Sequence, residues 1–374
     1  MEKGMKNADV RLGNKRRLIK LLYWNNGISK QDISTVLRLS MPTVNLLVSH
    51  LEEDGLVEKR RADTSSGGRI PDLLFFKYNA RLVVGVEIFQ GECVILITDL
   101  QGTPQARKKI QARYNDGVTY WQGLRALILQ LIEENSFRRE DILGVGITMQ
   151  NSIERYSKVA GALPVPGTFT QSENLGVALG FPTVIERDTN AAGFANVWFE
   201  KKLEQAIYLS ISNEVSGSLI TRRNILYGDN GRCGEFGHMT LIPDGVKCSC
   251  GRRGCVQAYC STSILTGAVN DNLSQFFALL PSSEALQKIW DSYSDRLGTL
   301  IANLNIALDL PVIIGGELGV YIEQFENGLT QKVKKANPFY AAKPIQAALV
   351  LENAAGIGVT LMISARYLNL METD

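Results

Sequence analysis

The sequence predicts an α/β body that follows a small helical head. From Leu82 onward, segments rich in Val and Ile alternate with helical segments, which is typical of a sheet covered by helices. Residues 1–77 instead contain short helices separated by turns, with fourteen Lys and Arg against nine Asp and Glu. The rest of the chain carries a net charge of −3. We therefore predict two domains, at 1–77 and 78–374, and expect the basic head to meet a polyanion.

The composition is that of a globular protein large enough for two or three domains. The chain has 374 residues, of which 45% are hydrophobic and 21% are charged. No apolar run reaches the roughly 18 residues that a membrane span needs, and the polar start lacks the apolar core of a secretory signal. We expect a cytoplasmic protein with no membrane partner. Six cysteines in a chain of this length do not indicate a disulfide framework.

Two helices open the head. The segment 14–24, NKRRLIKLLYW, has apolar residues at helical spacing and is stopped by Gly27. Ser29 then begins a second helix, SKQDISTVLRL. Asp32 follows three positions later, and this spacing resembles a capping box, in which two side chains satisfy the first N–H groups of a helix.

A third helix follows after a tight turn. Ser40 is placed to cap it, and Pro42 falls in its first turn, where a missing N–H is harmless. Gly55 ends the helix. Its predicted core-facing residues are Val44, Leu47, Val48 and Leu51.

The segment after the third helix predicts a wing. It reads LVEKRRADTSSGGRIPDLLFF, in which LV and LLFF are strand-like and TSSGGR is a flexible tip. Helices joined by a tight turn and followed by a wing resemble a winged helix-turn-helix, whose third helix enters the DNA major groove. The predicted DNA contacts are Ser40, Thr43 and Asn45 on that helix, and Arg60, Arg61 and Arg69 in the wing. The alternative is a small helical domain that binds another protein.

The body is predicted to contain a mixed sheet. Its first two strands, VVGVEIF and ECVILITDL, are so close in sequence that they should pair antiparallel. Three further strand-like segments are ILGVGITM, AIYLSIS and PVIIGG. The helical segments between and after them are VTYWQGLRALILQLIEEN, DTNAAGFANVWFE, SEALQKIWDSYSDRLGTLIANLNIALD and NAAGIGVTLMISARYL.

Four potential metal ligands lie within eighteen positions of the body. The chain has only two histidines and six cysteines, yet one histidine and three cysteines fall in GHMTLIPDGVKCSCGRRGC. Zinc prefers thiolate and imidazole ligands, and four of them complete a tetrahedral shell with no water left to activate. The sequence therefore predicts a structural zinc held by His238, Cys248, Cys250 and Cys255. The alternative is a set of four unrelated buried side chains.

With these segments in place, the chain resembles the ROK family of repressors, open reading frames and sugar kinases. The resemblance rests on GRCGEFGHM, CSCGRRGCVQAY, RDTNAAG and VIIGG behind a winged head, and it covers nearly the whole chain. It implies an actin-like, ribonuclease-H-like body of two lobes, at about 78–190 with the C-terminal helix and at 191–355. It also implies a zinc ion near a sugar cleft. Members with a winged head are generally sugar-responsive transcription regulators, and members without one are generally sugar kinases.

The glycine loops that bind ATP in family kinases are altered in this chain. The first loop, Asp-x-Gly-Gly-Thr, corresponds to EIFQG at 87–91, and the second, Gly-Thr-Gly-x-Gly-Gly-Gly, corresponds to SNEVSGS at 212–218. Most of the glycines that let backbone N–H groups approach a phosphate are missing. Glu214 would add a negative charge, and a carboxylate about 4 Å from a phosphate costs on the order of 4 kcal/mol. We therefore expect no kinase activity and no catalytic residues.

The sugar cleft that the resemblance implies is better preserved. Asp188 matches the carboxylate that acts as the general base in family kinases, and here it can still accept hydrogen bonds from a sugar. Glu235 matches a second acceptor for sugar hydroxyls. His238 belongs to the same motif and can link the metal to the sugar through its second ring nitrogen.

Two positions of the sugar cleft depart from the family pattern. Arg187 stands where the family often has Asn, and Gln257 stands where it often has Glu. Both changes make the cleft less negative. One hypothesis is therefore an anionic sugar bound by Arg187. The alternative is that this arginine turns outward or pairs with Glu186 or another acid.

Together these observations predict a sugar-responsive transcription regulator, most readily a repressor of carbohydrate genes. It would bind double-stranded operator DNA as a homodimer or higher oligomer, with half-site spacing set by the protomers. A sugar that prefers the arrangement unable to bind DNA would shift the population away from the operator. Two alternatives stay open: a sugar kinase, and a regulator relieved by a partner protein instead of a sugar.

Overall fold

The structure, a computed structural model, describes residues 7–61, 72–115, 117–149, 170–270, 272–337, 339 and 345–371. Arg69, a predicted DNA contact, and the TSSGGR segment lie outside these residues. Within the described ranges, no helix combines the length and the apolar character that a bilayer crossing requires.

The three helices and the two wing strands of the head follow the predicted order, but the short strand between the first two helices was not predicted. The helices of the head are α1 (Asn7–Trp24), α2 (Lys30–Leu37) and α3 (Met41–Glu53), and its strands are β1 (Ile28–Ser29), β2 (Val57–Arg61) and β3 (Asp72–Phe76). β3 lies between the other two and pairs antiparallel with both, which gives the expected wing. α1 is longer than predicted. The side chains that fill the core of the head are Leu18, Leu22, Ile33, Val44, Val48, Leu51 and Leu74.

Capping explains where α2 begins, but not α3. The Ser29 hydroxyl accepts a hydrogen bond from the Asp32 backbone N–H at 3.2 Å, as the spacing predicted. Ser40 occupies the capping position of α3, yet its hydroxyl pairs with the Thr43 hydroxyl at 2.9 Å and caps no N–H. The predicted Ser40 cap is therefore wrong. Pro42 is the reason in part, since it removes one of the two N–H groups that such a cap normally binds.

The body contains two sheets. The strands of the first are β4 (Leu82–Ile88), β5 (Glu92–Asp99), β6 (Pro104–Gln111), β7 (Ile142–Met149), β8 (Thr170–Gln171) and β9 (Thr183–Arg187). The strands of the second are β10 (Ala206–Ile211), β11 (Val215–Thr221), β12 (Asn224–Ile225), β13 (Val312–Gly315) and β14 (Ile345–Ala347). β4 and β5 pair antiparallel, as predicted.

The two sheets repeat one topology. The first has the order β6-β5-β4-β7-β9-β8, and the second has the order β12-β11-β10-β13-β14. In each, three strands form an antiparallel meander and two more run parallel to the first of them. Both halves are therefore built alike, although their sequences show no evident repeat.

The helices of the body cover these sheets. They are α4 (Val118–Glu134), α5 (Glu173–Leu179), α6 (Asp188–Phe199), α7 (Gln257–Cys260), α8 (Ser263–Thr266), α9 (Leu273–Leu279), α10 (Glu284–Leu308), α11 (Gly316–Ala336) and α12 (Ala354–Tyr367). The predicted helices correspond to α4, α6, α10 and α12. α12 packs on the first sheet and on α6, and a Cβ on Gly358 would collide with the carbonyl of Ala191. The C-terminal helix therefore closes the first half of the body.

The end of α1 docks the head on the body. Tyr23 is only 2% exposed, and its hydroxyl donates to the Leu100 carbonyl at 3.0 Å. The same hydroxyl accepts from the indole N–H of Trp198, near the end of α6, at 3.1 Å. The rings of Trp24 and Trp198 lie 5.2 Å apart, and the Tyr78 hydroxyl donates to the Tyr23 carbonyl at 2.6 Å. Helix α6 is thus part of the surface on which the head rests.

Candidate functional site

The predicted metal ligands converge in space. One ligand atom from each of the four residues lies within 4.8 Å of all the others; the residues are His238, Cys248, Cys250 and Cys255. The Sγ atoms of Cys250 and Cys255 are 3.7 Å apart, and Nδ1 of His238 is 3.9 Å from Sγ of Cys248. Two sulfurs bound to one tetrahedral zinc at about 2.3 Å lie about 3.8 Å apart, so these distances fit one ion. This convergence argues against four unrelated side chains.

Backbone turns and one arginine fix the conformation of the loop at 238–255, which carries the four predicted metal ligands. The Arg252 guanidinium donates to the His238 carbonyl and to the Thr240 hydroxyl, both at 3.0 Å. Gly254 has a φ of 77° and packs so closely that a Cβ would collide with the Ile242 carbonyl. Only glycine fits there, because it alone combines that conformation with that approach. These contacts place four ligands from two turns around one point.

Arg187 turns inward, toward the loop that precedes the metal ligands. It is 3% exposed, and its Nη2 donates to the Gly231 carbonyl at 2.9 Å. Nη1 lies 3.4 Å from the Cys233 carbonyl, and Nη2 lies 3.6 Å from the carboxylate of Glu235. The structure therefore favours pairing with an acid, and that acid is Glu235. An arginine whose charge is already offset gives little support to an anionic sugar.

A buried carboxyl beside Arg187 ties β9 to the loop after β12. Glu186 is 1% exposed and accepts hydrogen bonds from the Tyr227 hydroxyl at 2.7 Å and the Asn190 amide at 2.9 Å. It also accepts from the backbone N–H of Arg187 at 2.8 Å. Burial raises the pKa of Glu186 to about 7, although these three donors lower it. From the sequence, Glu186 is one acid with which Arg187 could pair, but these three hydrogen bonds were not predicted.

Replacing Glu186 by glutamine is expected to flatten part of the pH dependence of stability. The carboxyl has an ordinary pKa of 4.5 when unfolded and about 7 when folded. Its favourable contribution is therefore complete below pH 4.5 and is lost as the pH rises toward 7. As the pH rises from 4.5 to about 7, wild type should lose up to about 3 kcal/mol of unfolding free energy relative to E186Q. Urea unfolding across pH measures this, with the exposed Glu173→Gln as control, and a difference that does not vary with pH would contradict it.

Asp188 begins α6 at a cleft between the two sheets. The polar residues that line this cleft are Glu87, Thr148, Asp188, Thr189, Tyr208, Ser210, Ser212 and Asn353. The half-buried carboxylate of Asp188 accepts from the Thr189 backbone N–H at 2.8 Å. A carboxylate has about four acceptor positions, so Asp188 can also accept hydrogen bonds from the hydroxyls of a ligand.

Glu87, in the first altered loop, caps a helix with its own carboxylate. It is 4% exposed and accepts from the Asn353 amide at 2.6 Å and from the Gly356 backbone N–H at 2.8 Å, at the start of α12. Burial raises the pKa of Glu87. A helix N-terminus is a favourable place for an anion, and here the protein supplies that anion itself. Glu214, predicted to bring its charge to this region, is exposed and lines no part of the cleft.

Side-chain hydrogen bonds close the second altered loop. The Gln257 amide accepts from the Val215 N–H and donates to the Asn213 carbonyl, both at 2.6 Å. The backbone N–H of Glu317 donates to the Ser212 hydroxyl at 3.1 Å. A glutamate at position 257 could not donate to that carbonyl, so the change to Gln orders the loop. A contact between Gln257 and a sugar stays a prediction.

The predicted DNA contacts on α3 and β2 are mostly exposed. These are Ser40, Asn45, Arg60 and Arg61, while Thr43 is half-buried. The Asn45 amide oxygen accepts from the Lys30 ammonium at 2.8 Å, so Lys30 stands beside the predicted contacts. The Arg60 guanidinium lies 4.8 Å from the Phe75 ring centre and donates to Glu58 at 2.6 Å. Lys30 was not predicted, although a cation next to the cap of α2 was a visible signal.

Comparison with known proteins places both parts of the chain. Residues 83–365 match the ROK family, and residues 11–58 match a winged helix-turn-helix DNA-binding family. A xylose repressor of Bacillus subtilis (strain 168) is 28% identical over 267 residues, which cover 68% of this chain and 67% of the relative.

Two solved structures show the fold. A ROK family transcriptional regulator, a homologue of the E. coli MLC protein, has a TM-score of 0.73 at 17% identity and covers 96% of this chain and 98% of its own. A ROK hexokinase from Thermus thermophilus has a TM-score of 0.63 at 21% identity and covers 75% of this chain and 97% of its own. The body therefore has the two-lobed, actin-like fold that ROK regulators and kinases share, and a winged head precedes it. On the match over 83–365, this chain belongs to the ROK family.

Proposed function

We propose that this chain is a sugar-responsive repressor, in which the head at 1–77 binds operator DNA and the body at 78–374 binds a neutral sugar. One observation supports this most: the chain joins a winged head to a ROK body. The two loops of that body that bind ATP in family kinases have lost most of their glycines, and Gln257 bonds the second loop. The similarity to a xylose repressor favours a pentose such as xylose. The Arg187–Glu235 pair favours an uncharged sugar, and a homodimer would match a two-fold-related operator.

We infer that the body transfers no phosphoryl group. Phe89 and Gln90 stand where family kinases have the tandem glycines of the first loop, so the backbone N–H groups of this loop cannot approach a phosphate as closely. Gln257 bonds the Val215 N–H and the Asn213 carbonyl of the second loop, so that N–H is not available to a nucleotide. ATP turnover in the presence of sugars should therefore stay at background.

The proposed sugar site combines Asp188 and Glu235 as acceptors with His238 behind them. Zinc bound by the Cys₃His set would have a closed shell, so it would brace the loop that carries Glu235 and supply no reacting water. Arg187 would orient Glu235 through their 3.6 Å contact. Buried sugar hydroxyls need such paired partners, because an unpaired one costs about 1–3 kcal/mol.

Helix α6 provides a physical link between this site and the head. Asp188 is its first residue, and Trp198, which bonds Tyr23 of the head, lies ten residues later, about 15 Å along the axis. A sugar that closes the lobes around Asp188 would shift α6, and with it the surface on which α1 rests. Such a shift would change the position of α3 relative to DNA.

The decisive experiment measures DNA binding with and without sugars. Fluorescence anisotropy with duplexes from upstream of the gene should show steeply salt-dependent binding. A neutral sugar should weaken that binding by about 5-fold to 150-fold, and phosphorylated sugars should not. If no sugar has any effect, control by a partner protein is the better explanation. If only phosphorylated sugars act, the neutral-sugar proposal is wrong.

Replacing Asp188 by asparagine should separate sugar binding from DNA binding. Losing a hydrogen bond to a charged acceptor costs about 1.5–3 kcal/mol, so the sugar Kd should rise about 10-fold to 100-fold. DNA affinity without sugar should be unchanged, because Asp188 lies in the body. Calorimetry measures the sugar Kd, and the exposed Asp309→Asn is the matched control. Equal sugar affinities of D188N and D309N would remove Asp188 from the site.

A further inference from the structure

A second cleft lies between the head and the body, at the end of α6 remote from Asp188. Its volume is about 390 Å³, in the range of small-molecule sites. Trp24 of the head and Trp198 of the body contribute aromatic walls. The charged residues that line it are four cations and one acid: Lys20, Lys201, Arg222, Arg223 and Glu204.

Within the described residues, the four cations of this cleft form no salt bridge. In the part of the chain that the structure describes, no carboxylate oxygen lies within 4.0 Å of their side-chain nitrogens. Arg223 is half-buried, and its guanidinium donates only to backbone carbonyls, those of Val197 and Trp198 at 3.3 Å and of Lys201 at 3.1 Å. Burial lowers the pKa of Arg223, although the nearby Glu204 and Glu200 raise it. Four cations against one acid leave a net positive charge in this partly enclosed cleft, which favours an anion there.

The turn that carries two of these cations is strained. Arg222 and Arg223 connect β11 to β12 and have φ values of 49° and 60°, in the left-handed region. Two-residue hairpin turns with positive φ at both positions are ordinarily built from Asn and Gly. Arginine at both positions therefore costs stability that Asn-Gly would not. Strained residues of this kind concentrate at ligand sites, and here the strain holds charge at the cleft.

We propose that this cleft is a second ligand site, which binds a small molecule with a phosphate group and an aromatic or apolar part. Lys20, Lys201 and Arg222 would bind the phosphate, and the two tryptophans would pack against the rest. Because Lys20 belongs to the head and Arg222 to the body, the occupant would bridge them and hold the head in its docked position. This site goes beyond the proposed sugar response, since it lies at the other end of α6.

The test uses the full chain with phenyl phosphate as the probe, in the absence of sugar and DNA. Trp24 and Trp198 line the cleft, so binding should change tryptophan fluorescence, and calorimetry should give the Kd. The variant Arg222→Asn removes the charge but suits the left-handed turn. We expect R222N to melt at the same or a higher temperature and to bind phenyl phosphate about tenfold more weakly. The exposed Arg113→Asn is the matched control and should bind like wild type.

Either of two results overturns the proposal. One is equal affinity of R222N and R113N for phenyl phosphate; the other is no binding by wild type at millimolar probe. If wild type binds no probe but R222N binds a DNA duplex more weakly than R113N does, the cleft contacts the DNA backbone instead. Lys201→Met serves as a second variant in the lining of the cleft and should also weaken probe binding. Since neither sugar nor DNA enters the titration, its failure leaves the proposed function standing.

Discussion

Loss of the metal is expected to abolish the sugar response and to destabilise the second half of the body. Cys255→Ala removes a fully buried ligand, and chelation removes the ion from the unaltered chain. The four ligands meet only in the folded state, so a metal present at 1,000 times its Kd stabilises that state by about 4 kcal/mol. Glu235 and His238 belong to the same loop, so the sugar Kd should rise at least tenfold as the loop loosens.

Metal analysis, thermal unfolding and the sugar Kd from calorimetry check this expectation. Metal analysis should find about one zinc per wild-type chain and almost none in C255A. Thermal unfolding should show a lower midpoint for C255A and for the chelated protein, with recovery after zinc is returned to the latter. Cys260→Ala is the matched control, because Cys260 is also a buried thiol but lies outside the cluster. A metal-free protein with unchanged melting and unchanged sugar affinity would rule out the structural role.

The elements of the head and the His/Cys cluster were predictable because their signals are local. Ser29 and Asp32 are three positions apart, and their capping bond forms as the spacing suggests. The predicted metal ligands lie within eighteen positions, so turns alone can bring them together. Ser40 shows the limit of such reasoning. Its capping signal was correct in type, but Pro42 changed which donors were present.

Helix α11 was missed although its signal was present. Five of its apolar residues repeat at helical spacing and are buried or partly buried: Leu318, Ile322, Phe325, Leu329 and Val333. The helix starts at Gly316, directly after a strand, with a φ of 71°. From the sequence we assign PVIIGG to a strand and predict no helix after it, because charged residues interrupt the apolar stripe of the segment that follows. The period of the segment was a better guide than its first residues.

The partners of Arg187 and Glu87 could not be read from the sequence. The carbonyls that Arg187 binds lie 44 and 46 residues away, and the N–H that Glu87 binds lies 269 residues away. Such pairs depend on how the two sheets and α12 come together. The sequence showed that the loops had lost their glycines. Only the structure shows that the Glu87 carboxylate caps the start of α12.

Removing the Trp198 side chain is expected to uncouple DNA binding from sugar binding. Trp198 is 3% exposed, stacks on Phe194 at 5.4 Å and bonds the Tyr23 hydroxyl of the head. Its truncation to alanine should cost about 3–5 kcal/mol of stability. The head keeps its own core, so W198A should still bind DNA. The ratio of the DNA Kd with sugar to the DNA Kd without sugar should fall from its wild-type value toward one.

A milder variant still tests the coupling if W198A does not fold. Trp198→Phe keeps an aromatic ring but removes the indole N–H, and the Tyr23 hydroxyl retains its bond to the Leu100 carbonyl. W198F should therefore cost about 1 kcal/mol and weaken the coupling only in part. Trp290→Phe is the matched control, since Trp290 packs among the aromatic rings of the second half of the body, away from the head. Its coupling should equal that of wild type.

Reciprocity makes the Trp198 prediction stricter than a single binding curve. If sugar weakens DNA binding by some factor, DNA must weaken sugar binding by the same factor. In W198A both factors should approach one together, while the sugar Kd without DNA stays at its wild-type value, because Asp188 is untouched. A W198A protein whose DNA binding still responds fully to sugar would show that the signal does not pass through α6. The head would then have to sense the sugar through the Tyr78 and Leu100 side of its docking surface, which α6 does not form.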